Sequence, residues 1–158
     1  MGSNSRKYWV LSPNVMNNSD ETEWKESIRS LKRAFIGYDD KHRFGQLFKN
    51  DIQKGDAILI AQGQNSAKKF FLCGIVDSEA KYEHVDDTPD TAQNRKLKFT
   101  ISKERLDELE LDFNNSTWGE SKQPATLYHL KPNENEADKK IVELLAAELQ
   151  NQIIQQLM

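Results

Sequence analysis

The sequence contains a single cysteine, three histidines and four prolines among 158 residues. One cysteine, Cys73, excludes an internal disulfide framework and a multi-cysteine metal cluster. No apolar run approaches the ~18 residues that a membrane-spanning helix needs, and no charged and apolar leader opens the chain. We therefore expect a cytoplasmic protein with no membrane partner. The length predicts one domain over residues 6–158, after a leader of residues 1–5.

The signatures of common enzyme sites are also missing. The sequence has no GxxxxGK[ST], GxGxxG, GxSxG or HExxH motif. The histidines His42, His84 and His129 fall in three separate segments, with neither metal-ligand spacing nor a nearby nucleophile. Cys73 lies in an apolar strand-like run, which is typical of a buried and inert thiol. These absences predict a non-catalytic protein with no cofactor and no metal, and they leave an enzyme that uses Asp39 or His42 as an alternative.

The formal charge of −3 argues at first sight against a nucleic-acid partner. The charge is unevenly distributed, however. Residues 77–90 carry six acids and one base, which is −5, so the rest of the chain is +2. Residues 24–56 carry eight bases against five acids. A basic face is therefore compatible with the negative total, although an ordinary solvated helix face would give the same pattern.

Hydrophobic periodicity and turn residues predict an α+β fold. Strands are predicted over residues 7–11, 57–61, 69–76, 95–101 and 125–130, and the acidic stretch 77–90 as a loop. Helices are predicted over 23–36, 44–50, 102–109 and 136–157, the last capped by Asn135 or Asp138. Gly74 is expected at a bend or a close approach. The order of elements favours a small mixed β-barrel of five to six strands flanked by helices. The C-terminal helix is expected to pack on this barrel, and its apolar positions leave a protein-interaction role open.

Aromatic residues are concentrated near the N-terminus, where seven of the 14 lie within the first 48 residues. Those at helical spacing, such as Trp24 and Phe35, are expected in the core. Trp9, Tyr38 and Trp118 lie instead on a strand or in polar loops. Aromatic side chains in such places can stack on a nucleobase, and a base flipped out of a duplex is held by stacking and by hydrogen bonds to its pairing edge.

Four segments, in order, resemble the EVE domains of the PUA-like superfamily, to which the YTH domains are closely related. They are Tyr8-Trp9-Val10-Leu11, Ile36-Gly37-Tyr38-Asp39-Asp40, Lys54-Gly55-Asp56 and Gly74-Ile75-Val76-Asp77. The similarity covers residues 7 to 80. It implies a PUA-like barrel with an aromatic pocket that reads a modified nucleobase. Such domains occur at the N-terminus of modified-DNA restriction proteins of the McrBC type, with a fused or associated GTPase and nuclease.

The resemblance also implies a set of site residues. Trp9, Ser12, Pro13 and Asn14 correspond to the first pocket wall, Gly37, Tyr38, Asp39 and Asp40 to the second, and Trp118 to a closing loop. Ile36 stands where the family usually has tryptophan. Contacts to phosphate are expected from Arg33, Lys41, Arg43 and Lys49. The expected function is non-catalytic reading of a methylated cytosine or adenine flipped from double-stranded DNA. An RNA-binding PUA-like domain and a protein-interaction module remain alternatives.

Overall fold

The computed structural model describes residues 6–11, 32–36, 41, 43–62, 69–84, 91–117 and 127–157. In this part of the chain the strands are β1 (Tyr8–Leu11), β2 (Arg33–Ile36), β3 (Ala57–Gln62), β4 (Lys69–Val76), β5 (Lys81–His84), β6 (Thr91–Ser102) and β7 (Leu127–His129). The helices are α1 (Arg43–Gln46), which continues into a π-helical turn over Leu47–Asp51, α2 (Lys103–Glu108) and α3 (Glu136–Leu157). None of these helices is long and apolar enough to cross a membrane.

The strands form one mixed sheet in the order β2-β6-β4-β3-β1-β7, with β5 paired to β6 off this path. β1 and β3 run parallel, and all other pairs are antiparallel. The sheet curls into a half-barrel. The predicted α+β class and the mixed sheet are therefore confirmed.

Alternation along the strands divides the core between the two faces of the sheet. The inner cluster contains Trp9, Leu11, Ile58 and Ile60 with Phe48 and Ile52 of the α1 segment. The outer cluster contains the intervening residues Tyr8, Val10 and Leu59, covered by Leu106 of α2 and by Ile141, Leu145 and Leu149 of α3. Each fully buried aliphatic side chain contributes ~1.5–3 kcal/mol to folding. α3 thus packs on the sheet, as predicted, and leaves Leu144, Ile154 and Leu157 exposed.

Several local predictions are confirmed. β4 spans the predicted residues, and it forms an antiparallel pair with β3. Ser102 caps α2, since its hydroxyl accepts a hydrogen bond from the Arg105 amide at 3.2 Å. Asn135 caps α3 through the Asp138 amide at 2.9 Å. A Cβ added to Gly74 would lie 2.9 Å from the Cβ of Leu97, so β4 and β6 approach closely there.

The prediction of a helix over residues 23–36 is wrong at its C-terminal end. Arg33–Ile36 is a strand, because its backbone pairs antiparallel with residues 93–96 of β6. Lys32, just before it, has a left-handed backbone with φ 52, which no continuous helix allows. The remainder of the predicted helix, with Trp24, Ile28 and Leu31, lies outside the described residues.

The acidic stretch 77–90 is not entirely a loop. Lys81–His84 forms β5, whose backbone pairs with residues 91–94 of β6. β6 accordingly begins at Thr91 rather than near residue 95. The last predicted strand, 125–130, is observed over Leu127–His129. The observed strand boundaries differ from the predicted ones because strand length depends on pairing with distant segments, and local sequence patterns do not contain that pairing.

Candidate nucleic-acid interface

A line of backbone hydrogen bonds crosses six strands at the level where β1 and β3 begin. In each pair the amide of the first residue donates to the carbonyl of the second, at an N–O distance of 2.8–2.9 Å. The pairs are Leu130 and Tyr8, Ala57 and Lys7, Val76 and Asp56, Gly55 and Val76, Asp77 and Lys96, and Leu97 and Lys32. Because neighbouring strands lie ~4.8 Å apart, this line runs for about 24 Å along the sheet.

Eight basic side chains that reach the surface lie on this line or one residue from it. We call them the basic rim: Arg6, Lys7, Lys32, Arg33, Lys54, Lys96, Lys98 and Lys131. The six lysines are exposed and the two arginines are half-buried. Sheet topology therefore collects on one level eight of the 22 lysines and arginines of the chain.

Two lysines of the rim pair with acidic residues in the described part of the chain. Asp77 lies 3.2 Å from Lys98 and Glu79 lies 3.9 Å from Lys54, between exposed side chains in both cases. Exposed pairs of this kind are worth ~0–1 kcal/mol, so water or a stronger anion can replace the acid. The rim is therefore a positive surface on a protein whose formal charge is −3.

The buried carboxylate of Asp56 fixes the centre of the rim. Its Oδ1 accepts a hydrogen bond from the Lys7 amide at 3.2 Å, and its Oδ2 accepts from the Gln53 amide at 2.9 Å and from the Trp9 indole at 3.2 Å. Gly55 before it has φ 97, a conformation that favours glycine. The Lys-Gly-Asp turn thus ties the start of β1 to the start of β3 and holds Lys7 and Lys54 in place.

Trp9, predicted as a pocket wall, lies in the inner core with 5% of its surface exposed. Its ring stacks on His129 at a centroid distance of 5.0 Å, and its indole N–H is bonded to Asp56. Burial lowers the pKa of His129, and the positive charges of Lys7 and Lys131 lower it further. In the described structure Trp9 joins β1 to β7 beneath the rim.

Arg33 is the only predicted phosphate-binding residue that belongs to the rim. Its Nη1 donates to Asn94 Oδ1 at 3.0 Å, and Asn94 in turn donates to the Lys81 carbonyl at 3.1 Å. Arg33 lies opposite Lys96 in the β2–β6 register. The register thus places two basic residues side by side on neighbouring strands.

The other predicted phosphate-binding residues, Lys41, Arg43 and Lys49, are exposed in and just before the α1 segment. The Arg43 guanidinium lies 4.8 Å from the centre of the Phe44 ring. These three residues form a second basic group, on the segment that covers the inner face of the sheet.

Buried polar side chains of β6 hold the α1 segment against the sheet. The Gln93 amide donates to the Gly45 carbonyl at 3.1 Å. Arg95, 1% exposed, donates to the carbonyls of Phe48 and Ile52 and, through Nε, to that of Ser78. Burial lowers the pKa of Arg95, opposed by the charges of Glu79 and Asp56. Because its donors satisfy the carbonyls of the π-helical turn, Arg95 positions the segment that carries Arg43 and Lys49.

The remaining predicted pocket residues lie outside the described residues: Ser12, Pro13, Asn14, Gly37, Tyr38, Asp39, Asp40 and Trp118. Leu11 and Ile36 are the last described residues before the first and the second predicted pocket wall. Strand registers place Leu11 at the level of Ser102 of β6, and Ile36 beside Gln93. These two levels lie nine residues apart along β6, from Gln93 to Ser102.

The sequence did not single out the rim residues Arg6, Lys7, Lys96, Lys98 and Lys131, whereas Lys32 and Lys54 belong to the basic stretch 24–56. One signal was present, since most of these bases flank an apolar strand, as in RKYWVL, KGDAILI and HLKP. That signal does not show which of these strand ends lie side by side in the sheet, because pairing between distant segments decides it.

The described residues were compared with the metal-binding and nucleophile expectations of the sequence. They contain no group of three or more histidine, cysteine or acidic side chains that could hold a metal ion. Cys73 is fully buried, and burial raises the pKa of its thiol to about 12, so it is a poor nucleophile near neutral pH. The arrangement that the fold does build is a basic surface.

The fold and the rim define a small α+β domain that carries a row of basic side chains across its sheet. The chain belongs to the DUF8426 family, a domain of unknown function whose family model matches residues 9–131. No curated protein matches the sequence significantly. The family match includes every strand apart from Tyr8 of β1, and α3 lies beyond the matched range.

Proposed function

We propose that this domain is a non-catalytic nucleic-acid-binding module that reads a modified base in double-stranded DNA. The basic rim is the observation that supports nucleic-acid binding. The base-reading part is supported by the resemblance of residues 7–80 to EVE and YTH domains. As the specificity module of a modification-dependent restriction system, the domain would act with a fused or associated GTPase and nuclease.

The rim suits the phosphate backbone in both length and charge. Its ~24 Å spans several successive phosphates, and exposed lysines bind phosphate as point charges without reading sequence. Each neutralised phosphate releases counterions, so about four contacts would give a slope near −3.6 in log K against log salt. Such contacts supply affinity, and a base pocket would supply the discrimination.

A binding panel tests this function. The full chain is titrated with otherwise identical duplexes that carry 5-methylcytosine, 5-hydroxymethylcytosine, N6-methyladenine or no modification, and with matched RNA, at two salt concentrations. We expect salt-sensitive binding to DNA, with one modified duplex preferred by about tenfold, equivalent to ~1.4 kcal/mol. Equal affinity for all four duplexes would contradict base reading, and preference for RNA would favour the RNA-binding alternative.

Tyr38→Ala and Trp118→Ala extend the panel to the base pocket. Either change should remove the preference for the modified duplex while salt-dependent binding persists, since stacking is worth ~1–3 kcal/mol per base. Tyr128→Ala, an aromatic change on β7 outside the predicted pocket, is the matched control. A preference that survives both pocket changes would contradict the proposed pocket.

A further inference from the structure

A groove of about 710 Å³ lies between the β1–β7 edge of the sheet and α3. Residues 6–8 and 129–134 form its strand side, and Val142, Ala146 and Gln150 form its helix side. This volume falls within the range of roughly 300–1,000 Å³ that is typical of pockets for small organic ligands. We call it the α3 groove.

The charged residues of the α3 groove are predominantly basic. Arg6, Lys7 and Lys131 line it against one acid, Glu134. Lys7 and Lys131 lie beside Tyr8 and Leu130, which neighbour each other across the paired strands β1 and β7. The groove lining therefore carries an excess of positive charge that suits a doubly charged anion such as a phosphate monoester.

Arg6 is held at the groove by the fold. Its Nε donates to the Gly55 carbonyl at 2.7 Å. Burial raises the pKa of Tyr8, opposed by the neighbouring Arg6 charge, so the phenol is neutral near pH 7. The guanidinium is thus partly pre-organised, which reduces the entropy lost when it binds an anion.

The rest of the α3 groove is suited to an organic body rather than to a bare ion. Leu130, Pro132, Val142 and Ala146 supply apolar walls, and Gln150 supplies an amide that can donate and accept hydrogen bonds. Lys131 Nζ lies 5.6 Å from the centre of the Tyr128 ring, at the cation–π limit. The lining of the groove thus combines cationic, apolar and amide side chains.

We propose that the α3 groove binds a phosphorylated nucleoside, with the phosphate between Arg6, Lys7 and Lys131 and the base against the apolar wall. The ligand is either a free nucleotide or the 5′-phosphorylated end of a nucleic-acid strand. The groove adjoins one end of the basic rim, but binding of a free nucleotide needs no other part of the rim. This proposal therefore stands independently of base reading in duplex DNA.

Calorimetric titration of the full chain at low salt tests the groove. The probes are adenosine and guanosine monophosphate, inorganic phosphate, and one short oligonucleotide with either a 5′-phosphate or a 5′-hydroxyl. We expect a nucleoside monophosphate or the 5′-phosphorylated strand to bind at least about tenfold more tightly than inorganic phosphate. Tight binding of a nucleoside monophosphate identifies a free nucleotide as the ligand, and tight binding of the 5′-phosphorylated oligonucleotide identifies a strand end. Binding no tighter than that of phosphate, with equal affinity for the two oligonucleotides, would overturn the proposal.

Variants locate the binding in the α3 groove. Lys131→Gln should weaken it about tenfold by removing a charge-assisted hydrogen bond. Lys139→Gln, at an exposed position of α3 outside the groove, should leave the affinity unchanged. Equal affinities of Lys131→Gln and Lys139→Gln would overturn the assignment.

Rim variants separate this proposal from the proposed function. Lys54 and Lys96 do not line the α3 groove. Replacing both with glutamine should weaken duplex binding and leave nucleotide binding intact. If nucleotides fail to bind while duplex binding depends on Lys54 and Lys96, the groove proposal fails and the proposed function survives.

Discussion

Asp56 is the residue on which the rim most depends. Its buried carboxylate satisfies two backbone amides and the indole N–H of Trp9. A buried donor that loses its acceptor costs ~1–3 kcal/mol, since water cannot replace the lost bond. The same side chain also fixes the backbone beside Lys7 and Lys54, so stability and the binding surface share one support.

Replacing Asp56 with alanine should therefore lower the free energy of unfolding by about 3 kcal/mol, because three donors lose their acceptor. Urea denaturation followed by tryptophan fluorescence measures this change. Asp51→Ala, at an exposed position of the π-helical turn, should shift stability by less than about 0.5 kcal/mol. Equal stability of the two variants would contradict the role assigned to Asp56.

His129 makes stability depend on pH in a defined direction. Its pKa in the folded protein is lower than the ordinary value of 6.5, through burial and the charges of Lys7 and Lys131. The unfolded chain therefore binds a proton more readily than the folded one, so this contribution is complete above pH 6.5 and is lost as pH falls towards the folded pKa.

We expect His129→Gln to reduce the loss of stability between pH 6.5 and the folded pKa of His129. Lys7→Gln should raise the pKa of His129 towards its ordinary value, because one of the two positive charges that lower it is removed. Urea denaturation at several pH values and NMR titration of the imidazole measure the two effects. A pH dependence identical in wild type and His129→Gln would show that His129 does not contribute to it.

At the scale of elements, α3 is attached to the sheet by a buried carboxylate as well as by apolar packing. Asp138 is fully buried and accepts hydrogen bonds from the hydroxyls of Ser116 and Thr117 and from the amides of Thr117 and Lys131. This network connects the first turn of α3 to Ser116 and Thr117, which follow α2, and to Lys131, which follows β7. α3 therefore belongs to the same folding unit as the strands of the family match, although it lies beyond residue 131.

Asp138→Ala should lower the free energy of unfolding by about 3 kcal/mol, because several buried donors lose their acceptor together. Glu143→Ala, an exposed acid on the same helix, is the matched control and should change stability by less than about 0.5 kcal/mol. Thermal unfolding monitored by circular dichroism compares the two. A Tm for Asp138→Ala equal to that of the control would contradict the proposed attachment of α3.

Elements with a strong local signal were predicted from the sequence. β4 is an apolar run bounded by polar residues, and α3 begins at the asparagine cap that the sequence contains. β2 was missed because its residues continue a helical spacing of apolar positions. Its identity as a strand comes from pairing Arg33 with Lys96, 63 residues away, and no local pattern encodes that pairing.

At the scale of the whole molecule, the rim exists only because the fold aligns distant segments. Lys7, Lys54 and Lys96 are separated by more than 40 residues from one to the next, and strand pairing brings them to one level. The sequence showed that a negative total can hide a basic face, and it predicted Arg33. It placed a possible basic face within residues 24–56 but could not join Lys7, Lys96 or Lys131 to it, because charge runs carry no information about sheet order.

Charge reversal on the rim tests the central claim most directly. Lys54→Glu combined with Lys96→Glu is compared with Lys139→Glu combined with Lys140→Glu, two exposed positions of α3 that carry the same change of net charge. The measurement is duplex affinity as a function of salt. We predict that the rim variant loses about two units of the slope of log K against log salt and that the α3 control retains the wild-type slope. Equal slopes for the two variants would contradict nucleic-acid binding at the basic rim.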